Sequence, residues 1–168
     1  MQINNAKKGQ VVFLGSTSLS NNNLIGCLGN IDDKKIYNLS INGLKLNQVE
    51  NYLESILTDL APSKLFMNIG EEDFKDKDFD LETFIEKYEW LLFQINSKCK
   101  NCRLFLISIF DTSWIGEKVN VALEKLALET GCKFINLNQN SLWDSVCILR
   151  MYLRTFPINF TEAMQYRG

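Results

Sequence analysis

Val11-Val12-Phe13-Leu14-Gly15-Ser16-Thr17-Ser18 is the stretch that decides the fold. An apolar run that meets a glycine and then consecutive hydroxyl residues is typical of a strand buried on both faces that ends abruptly at a turn. In open α/β sheets the ligand site lies beyond the carboxyl ends of the strands. We therefore predict that Ser16, Thr17 and Ser18 lie at such an edge.

Predicted strands and helices alternate along the rest of the chain. This alternation favours a parallel sheet with helices on both faces, a three-layer α/β/α sandwich, built as a single domain over residues 1–168. Apolar runs predict four further strands, at 35–41, 64–70, 103–110 and 133–137. Helical spacing of apolar residues predicts helices over 18–28, 46–60, 80–97, 115–130 and 141–156.

Charge and composition exclude several classes of protein. The net charge is −2, with no basic block, so we expect no nucleic-acid partner. The first residues lack the apolar core of a signal peptide and no segment is long and apolar enough to span a membrane, which predicts a cytoplasmic protein. The five cysteines are therefore read as reduced thiols.

Metal and cofactor sites have little support in the sequence. Cys99-Lys100-Asn101-Cys102 has the CxxC spacing, but it ends a predicted helix and the chain contains no histidine to complete a zinc site. The carboxylates that gather at strand ends could hold a hard cation, although acidic turns before helices are usually solvated; these are Glu71, Glu72, Asp73 and Asp111. We expect no metal and no cofactor.

Four blocks of sequence, in order, resemble the SGNH (GDSL-type) hydrolase family. Phe13-Leu14-Gly15-Ser16-Thr17 is similar to the family's FLGDS block, and Asn38 to Gly43 is similar to its NxGxxG block. Pro62 to Phe74 resembles the block that ends in GxND, and Thr130 to Leu137 resembles the "etGv.fvDl" stretch. The resemblance implies a flavodoxin-like sheet of order 2-1-3-4-5.

The resemblance also implies roles for individual positions, and there this chain departs from the family. Thr17 stands at the position of the serine nucleophile, and Ser16 stands for the preceding aspartate. Gly43 keeps its place in the oxyanion hole, whereas Glu72 replaces the family's asparagine. The DxxH block is aligned with Thr155 to Ile158, which puts Ile158 at the histidine position. A carboxylate at Glu72 would repel the negative charge that develops in ester hydrolysis unless it were protonated.

These departures predict a catalytically degenerate member of the family. The first hypothesis is a binding or partner module that keeps a polar pocket for a sugar or acyl-sugar, since many family members act on acylated carbohydrates, or that engages a protein partner. A second is an ester hydrolase with a rearranged catalytic group. The third is a phosphate or FMN site at the hydroxyl-rich loop. The predicted ligand-binding residues are Gly15, Ser16, Thr17, Ser18, Asn42, Gly43, Glu72 and Asp111.

Three further features have simpler explanations. Ser18 and Ser20 are equally well explained as caps of the first helix. Trp90, Trp114 and Trp143 are expected in the core or at an interface. The segment Arg150 to Arg154 could face a partner, or could be a terminal helix packed on the sheet.

Overall fold

The sheet confirms the predicted architecture. The computed structural model describes residues 8–29 and 34–154. The strands are β1 (Val11–Gly15), β2 (Ile36–Asn38), β3 (Lys64–Asn68), β4 (Arg103–Ile107) and β5 (Lys133–Ile135). They run parallel in the order β2-β1-β3-β4-β5, which matches the flavodoxin-like order.

Helices cover both faces of the sheet. The α-helices are α1 (Thr17–Asn21), α2 (Leu46–Ser55), α3 (Leu81–Lys98), α4 (Trp114–Thr130) and α5 (Leu142–Arg154). One face of the sheet packs against α2, α3 and α4, and the other against α1, a short 3-10 turn (Gly26–Leu28) and α5. Successive residues of a strand point to opposite faces, so Val12 and Leu14 join the first core and Val11 and Phe13 the second.

An aromatic ladder crosses the three middle strands on the second face. Phe13, Phe66 and Phe105 stack in sequence, with ring centroids 4.5 and 4.4 Å apart. The rings belong to β1, β3 and β4, whose register places them side by side. The first core buries the opposite face of the same strands, so both faces are covered and the apolar runs are continuous.

Two predicted helices differ from the structure. The predicted helix over 18–28 is two short pieces, because Asn22 takes an extended conformation and its side chain accepts a hydrogen bond from the Leu24 N–H. The predicted helix over 46–60 continues beyond α2 as a π-helical turn over Ile56–Leu60. It ends where expected, since Ala61, which precedes Pro62, leaves the right-handed helical region with a φ of 38°.

The strands are shorter than their apolar runs. β2 ends at Asn38, although the N–H groups of Leu39 and Ile41 still donate to Phe13 and Gly15 of β1. The residues that follow each strand instead form the loops at the carboxyl edge of the sheet. The prediction for residues 155–156 of the last helix lies outside the described residues.

The CxxC pair sits between a helix and a strand, as the sequence predicts. Cys99 directly follows α3 and Cys102 directly precedes β4. Burial, with Cys99 beside it, raises the pKa of the Cys102 thiol to about 12, which leaves it protonated and unreactive at neutral pH. All five cysteines are free thiols. None of the helices in residues 8–29 and 34–154 combines the length and the apolar character needed to cross a bilayer.

Candidate functional site

Thr17 lies at the centre of a hydrogen-bonded cluster at the carboxyl edge. Its hydroxyl donates to Oε1 of Glu72 over 2.6 Å and accepts from the N–H of Gly43 over 2.9 Å. Thr17 begins α1, Gly43 lies in the turn after β2, and Glu72 lies in the loop after β3. Three of the predicted site residues are therefore hydrogen-bonded to one another, although they are separated by up to 55 positions.

The carboxylate of Glu72 is held in its charged form. The Thr17 hydroxyl is the main cause that lowers the pKa of Glu72, and Lys75, whose Nζ lies 3.1 Å from Oε1, lowers it further, while partial burial opposes both. Glu72 is therefore ionised at neutral pH. It is therefore not a protonated carboxyl that could donate a hydrogen bond in an oxyanion hole.

Glu71 occupies the start of the first helix. Its two carboxylate oxygens accept from the backbone N–H and the hydroxyl of Ser18. Ser16, the N-cap residue of α1, makes no side-chain capping bond. Of the two explanations for Ser18, the one that made it a cap of this helix is wrong, because the acceptor comes from the loop after β3. An anion at this helix start would have to displace Glu71.

Asp73 ties the same loop to the next helix. Both of its carboxylate oxygens lie 3.2 Å from the backbone N–H of Leu46, at the start of α2. Burial is the main cause that raises the pKa of Asp73, against the hydrogen bond from Leu46. Beside it, Lys45 forms an ion pair of 2.8 Å with Asp76. These four residues line part of a mainly polar cavity of about 390 Å³.

Asp111 belongs to a separate cluster on the other side of β3. Its Oδ1 accepts from the N–H of Ser113, and its backbone carbonyl accepts from the Asn138 side chain. A side chain at Gly116 would lie only 2.4 Å from that Oδ1, so the glycine allows the carboxylate to sit against α4. Among the described residues, Asp111 makes no hydrogen bond with Thr17 or Glu72. Its predicted place in one binding site with Thr17 is not supported by these contacts.

The remaining predicted ligand residues differ in their access to solvent. Gly15 is buried, and Ser16 is fully buried, with no hydrogen-bond partner for its hydroxyl in the described part of the chain. Asn42 and Gly43 are exposed, and Thr17 and Ser18 are half-buried. A ligand at this edge would therefore meet Thr17, Ser18, Asn42 and Gly43 rather than the Ser16 side chain.

The three carboxylates of this edge have different hydrogen-bond partners. Glu71 and Glu72 accept from Ser18 and Thr17, neighbouring residues at the start of α1, and Asp73 accepts from Leu46 at the start of α2. In residues 8–29 and 34–154, no group of three or more acidic, cysteine or histidine side chains is arranged to hold a metal ion.

The three tryptophans lie on the surface of the protein. Trp90, Trp114 and Trp143 are 57%, 71% and 67% exposed, so of the two predicted locations the core is wrong and an interface stays a prediction. Trp114 and Trp143 stand in the first turns of α4 and α5, which begin at the carboxyl edge. Lys118 lies over the Trp114 ring, with Nζ 3.7 Å from the centroid.

The segment between β5 and α5 was also missed. Asn138 in this segment bonds Asp111, and the N–H of Leu137 bonds the hydroxyl of Ser108, so the segment closes the carboxyl edge beyond β4. Ile158, which the sequence alignment placed at the histidine position, lies outside the described residues. Arg154, the last described residue, is at the opposite edge of the sheet, where Lys64 contacts the end of α5.

Comparisons with known proteins identify the architecture. No protein-family model matches the chain, and no curated protein is significantly similar to it in sequence. A candidate platelet activating factor from Streptococcus pneumonia is 18% identical, with a TM-score of 0.70 over 89% of this chain and 86% of that one. The chain has the SGNH-hydrolase fold.

Two other structures with this fold are described as esterases or lipases. A catalytic mutant of an acetylxylan esterase from Geobacillus stearothermophilus is 12% identical, with a TM-score of 0.65 over 88% of this chain and 94% of its own. A GDSL-like lipase from Bacteroides thetaiotaomicron is 12% identical, with a TM-score of 0.64 over 86% of each chain. At such identities the similarity establishes the SGNH fold and leaves the activity to be argued from the site.

Proposed function

We propose that this chain is a non-catalytic protein of the SGNH fold that binds a small polar ligand, or a partner that presents one, at the carboxyl edge. The observation that carries the proposal is the ionised Glu72 carboxylate bound to the Thr17 hydroxyl. Ester hydrolysis requires donors where the oxyanion forms, and here a negative charge stands at the position that aligns with such a donor.

The chain also lacks a strong base for the hydroxyl. Its 168 residues include no histidine, and a threonine hydroxyl at its ordinary pKa needs an adjacent base to attack an ester. Glu72 is close enough to accept the proton, but its lowered pKa makes it a poor proton acceptor. Hydroxyl attack is therefore disfavoured both by the weak base and by the charge beside the reacting atom.

The same groups suit a ligand that donates hydrogen bonds. Oxygen acceptors from Glu71, Glu72 and Asp73 crowd the edge, and the exposed groups of Asn42 and Gly43 lie next to them. A neutral polyol such as a sugar supplies several hydroxyl donors, whereas an anion would meet three carboxylates.

A cytoplasmic location is part of the proposal. Five free thiols persist most readily in a reducing compartment.

A second candidate, an ester hydrolase with a rearranged catalytic group, is favoured by one observation. The 2.6 Å hydrogen bond from Thr17 to Glu72 has the geometry of a hydroxyl nucleophile and its general base. In that case Thr17 would be the nucleophile and the Gly43 N–H a remaining donor to the oxyanion.

Hydrolysis of p-nitrophenyl acetate and of acetylated sugars separates the two candidates. We expect the wild type to match the background rate of Thr17→Ala, with Glu72→Gln equally inactive. Saturable hydrolysis that Thr17→Ala abolishes would establish the esterase instead. Binding is tested separately, by amide chemical-shift titration with neutral mono- and disaccharides. If Thr17, Asn42, Gly43 and Glu72 fail to shift in a saturable way with any sugar, the sugar-binding proposal is wrong.

A further inference from the structure

A cavity of about 580 Å³ lies at the amino edge of the sheet, opposite the Thr17 cluster. It opens between the first residues of β4 and β5 and the last residues of α4 and α5. Its volume falls within the range of about 300–1,000 Å³ that is usual for small-molecule sites. The site proposed above does not extend to this edge.

The charged residues that line this cavity are all cations. Arg103, Lys133 and Arg154 line it, and no Asp or Glu is among its described lining residues. Within residues 8–29 and 34–154, none of the three forms an ion pair. Cations collected in a concave site with low-dielectric walls concentrate the positive potential there.

These cations are not needed to satisfy the ends of the helices. Helix C-termini attract cations because their last carbonyls are unpaired. For α5 that role belongs to Lys64, whose Nζ donates to the carbonyls of Tyr152 and Leu153 over 2.6 and 2.9 Å. For α4 the N–H groups of Gly131 and Cys132 bond the carbonyl of Ala127. In the described part of the chain, the charged groups of Arg103, Lys133 and Arg154 form neither a hydrogen bond nor an ion pair.

The positive potential already acts on Lys64. Burial lowers the pKa of Lys64, and the neighbouring charges of Arg103 and Lys34 lower it further. A negative ligand in the cavity would relieve the repulsion from Arg103.

The wall of the cavity is aromatic and apolar. Phe105 is buried beneath it, and Tyr152 meets the Phe105 ring edge-on, with centroids 5.8 Å apart. Lys133 lies 6.0 Å from the centroid of the Tyr152 ring. Leu104 and Cys102 complete the apolar side. The lining thus pairs a flat apolar surface with a cationic rim.

We propose that the cavity at the amino edge binds a small organic anion, an aromatic or aliphatic phosphate or carboxylate, whose charge meets Arg103, Lys133 and Arg154 and whose body packs on Phe105 and Tyr152. This site is independent of the proposed function at the carboxyl edge.

Phenyl phosphate and benzoate are suitable probes, each titrated into the full chain and followed by amide chemical shifts. We expect saturable shifts at Leu104, Gly131 and Lys133 at millimolar concentrations, weakened by added salt. Inorganic phosphate should bind more weakly, because it cannot use the aromatic wall. Phenyl β-glucoside, which is neutral, should produce no saturable shift at these amides.

Charge-removing variants locate the site. Arg103→Gln and Lys133→Gln should each weaken phenyl phosphate binding about fivefold, since each removes one charge near the anion. Arg154→Gln is a third variant at the rim, and Lys77→Gln, an exposed lysine of the opposite edge, is the matched control that should change nothing.

Three results would overturn the proposal. The first is the absence of saturable binding of both probes. The second is an affinity for phenyl β-glucoside or for inorganic phosphate that equals the affinity for phenyl phosphate, because the binding would then be an adventitious contact only. The third is unchanged phenyl phosphate affinity in Arg103→Gln, Lys133→Gln and Arg154→Gln variants whose amide spectra show the native fold.

Discussion

The two edges of the sheet carry opposite charges and hold them in different ways. At the carboxyl edge Glu71, Glu72 and Asp73 each accept a hydrogen bond from another part of the chain. At the amino edge the buried cation Lys64 donates to backbone carbonyls, while Arg103 and Lys133 line a cavity without ion-pair partners in the described part of the chain.

The difference shows that an internal partner can take the place of a ligand. The carboxyl edge is where α/β sheets bind ligands, and its hydroxyl loop and helix start are typical of an anion site. In this chain Glu71 and Glu72 supply the negative groups themselves, bonded to Ser18 and Thr17. At the amino edge, by contrast, the cations that line the cavity have no ion-pair partner in the described part of the chain, and they surround an apolar wall.

The largest expected effect concerns Lys64, the buried cation of the amino edge whose ammonium group donates to backbone carbonyls. Lys64→Met keeps the buried length of the side chain but leaves the carbonyls of Tyr152 and Leu153 without their Nζ donor. We expect the free energy of unfolding to fall by about 2 kcal/mol, because unsatisfied buried carbonyls lose their hydrogen bonds without regaining water. Urea denaturation measures the change.

Lys34→Met is the matched control for this experiment. The Nζ of Lys34 also donates to a carbonyl, that of Gly9, but the contact is exposed. We expect this variant to stay within about 0.5 kcal/mol of the wild type. Equal losses in the two variants would mean that Lys64 is not a structural cap, and the distinction between engaged and free cations at this edge would fail.

A smaller effect is expected at the carboxyl edge from Asp73. In Asp73→Ala the N–H of Leu46 at the start of α2 loses its acceptor, and loss of such a cap typically costs about 1 kcal/mol. Asp78→Ala, at an exposed position of the same loop, should cost less than half of this. A stability of Asp73→Ala equal to that of Asp78→Ala in urea denaturation would contradict the capping role.

The pH dependence of Asp73 has a defined sign. Burial raises its pKa in the folded state, so the folded chain holds this proton more tightly than the unfolded chain does. The protonated Asp73 carboxyl therefore stabilises the fold fully below its unfolded pKa, and this stabilisation is lost as pH rises through its folded pKa. The stability of the wild type relative to Asp73→Asn should therefore decrease as pH rises from about 3 to 6. An increase over this range would show that burial does not dominate.

The fold was predictable because its signal is local. The run from Val11 to Gly15 and the helical spacing of residues 81–98 each specify an element by themselves. Boundaries were less predictable, since the break at Asn22 depends on one side chain bonding the N–H of Leu24. The alternation of elements and the resemblance to the SGNH family supplied the strand order.

The site was predictable only in part. Alignment placed Thr17, Gly43 and Glu72 together, and they are hydrogen-bonded. It could not show that Glu71 would cap α1, because that contact spans 53 positions and depends on how the loop after β3 folds back. The exposure of Trp143 likewise depends on how α5 packs on the sheet, and the local sequence pattern does not predict that packing.

The smallest expected effect is the most specific test of the carboxyl edge. The Thr17 hydroxyl is the main cause of the lowered pKa of Glu72, so Thr17→Val, which keeps the shape and removes the hydroxyl, should raise that pKa towards its usual range. Thr17→Ser keeps the donor and should leave it low. Carboxyl carbon shifts followed against pH report the Glu72 pKa in both variants.

The stability of the fold should respond in the same way. A carboxyl whose pKa is lowered by folding stabilises the fold at pH values above its unfolded pKa, and this stabilisation is lost as pH falls through the folded pKa. The wild type should therefore lose stability as pH falls through the folded pKa of Glu72, and Thr17→Val should lose less. An unchanged Glu72 pKa in Thr17→Val would mean that the hydroxyl does not hold the charge. The carboxylate would then be free to act as a base or to bind a ligand. The conclusion that the carboxylates of this edge are held by hydrogen bonds within the protein would be wrong.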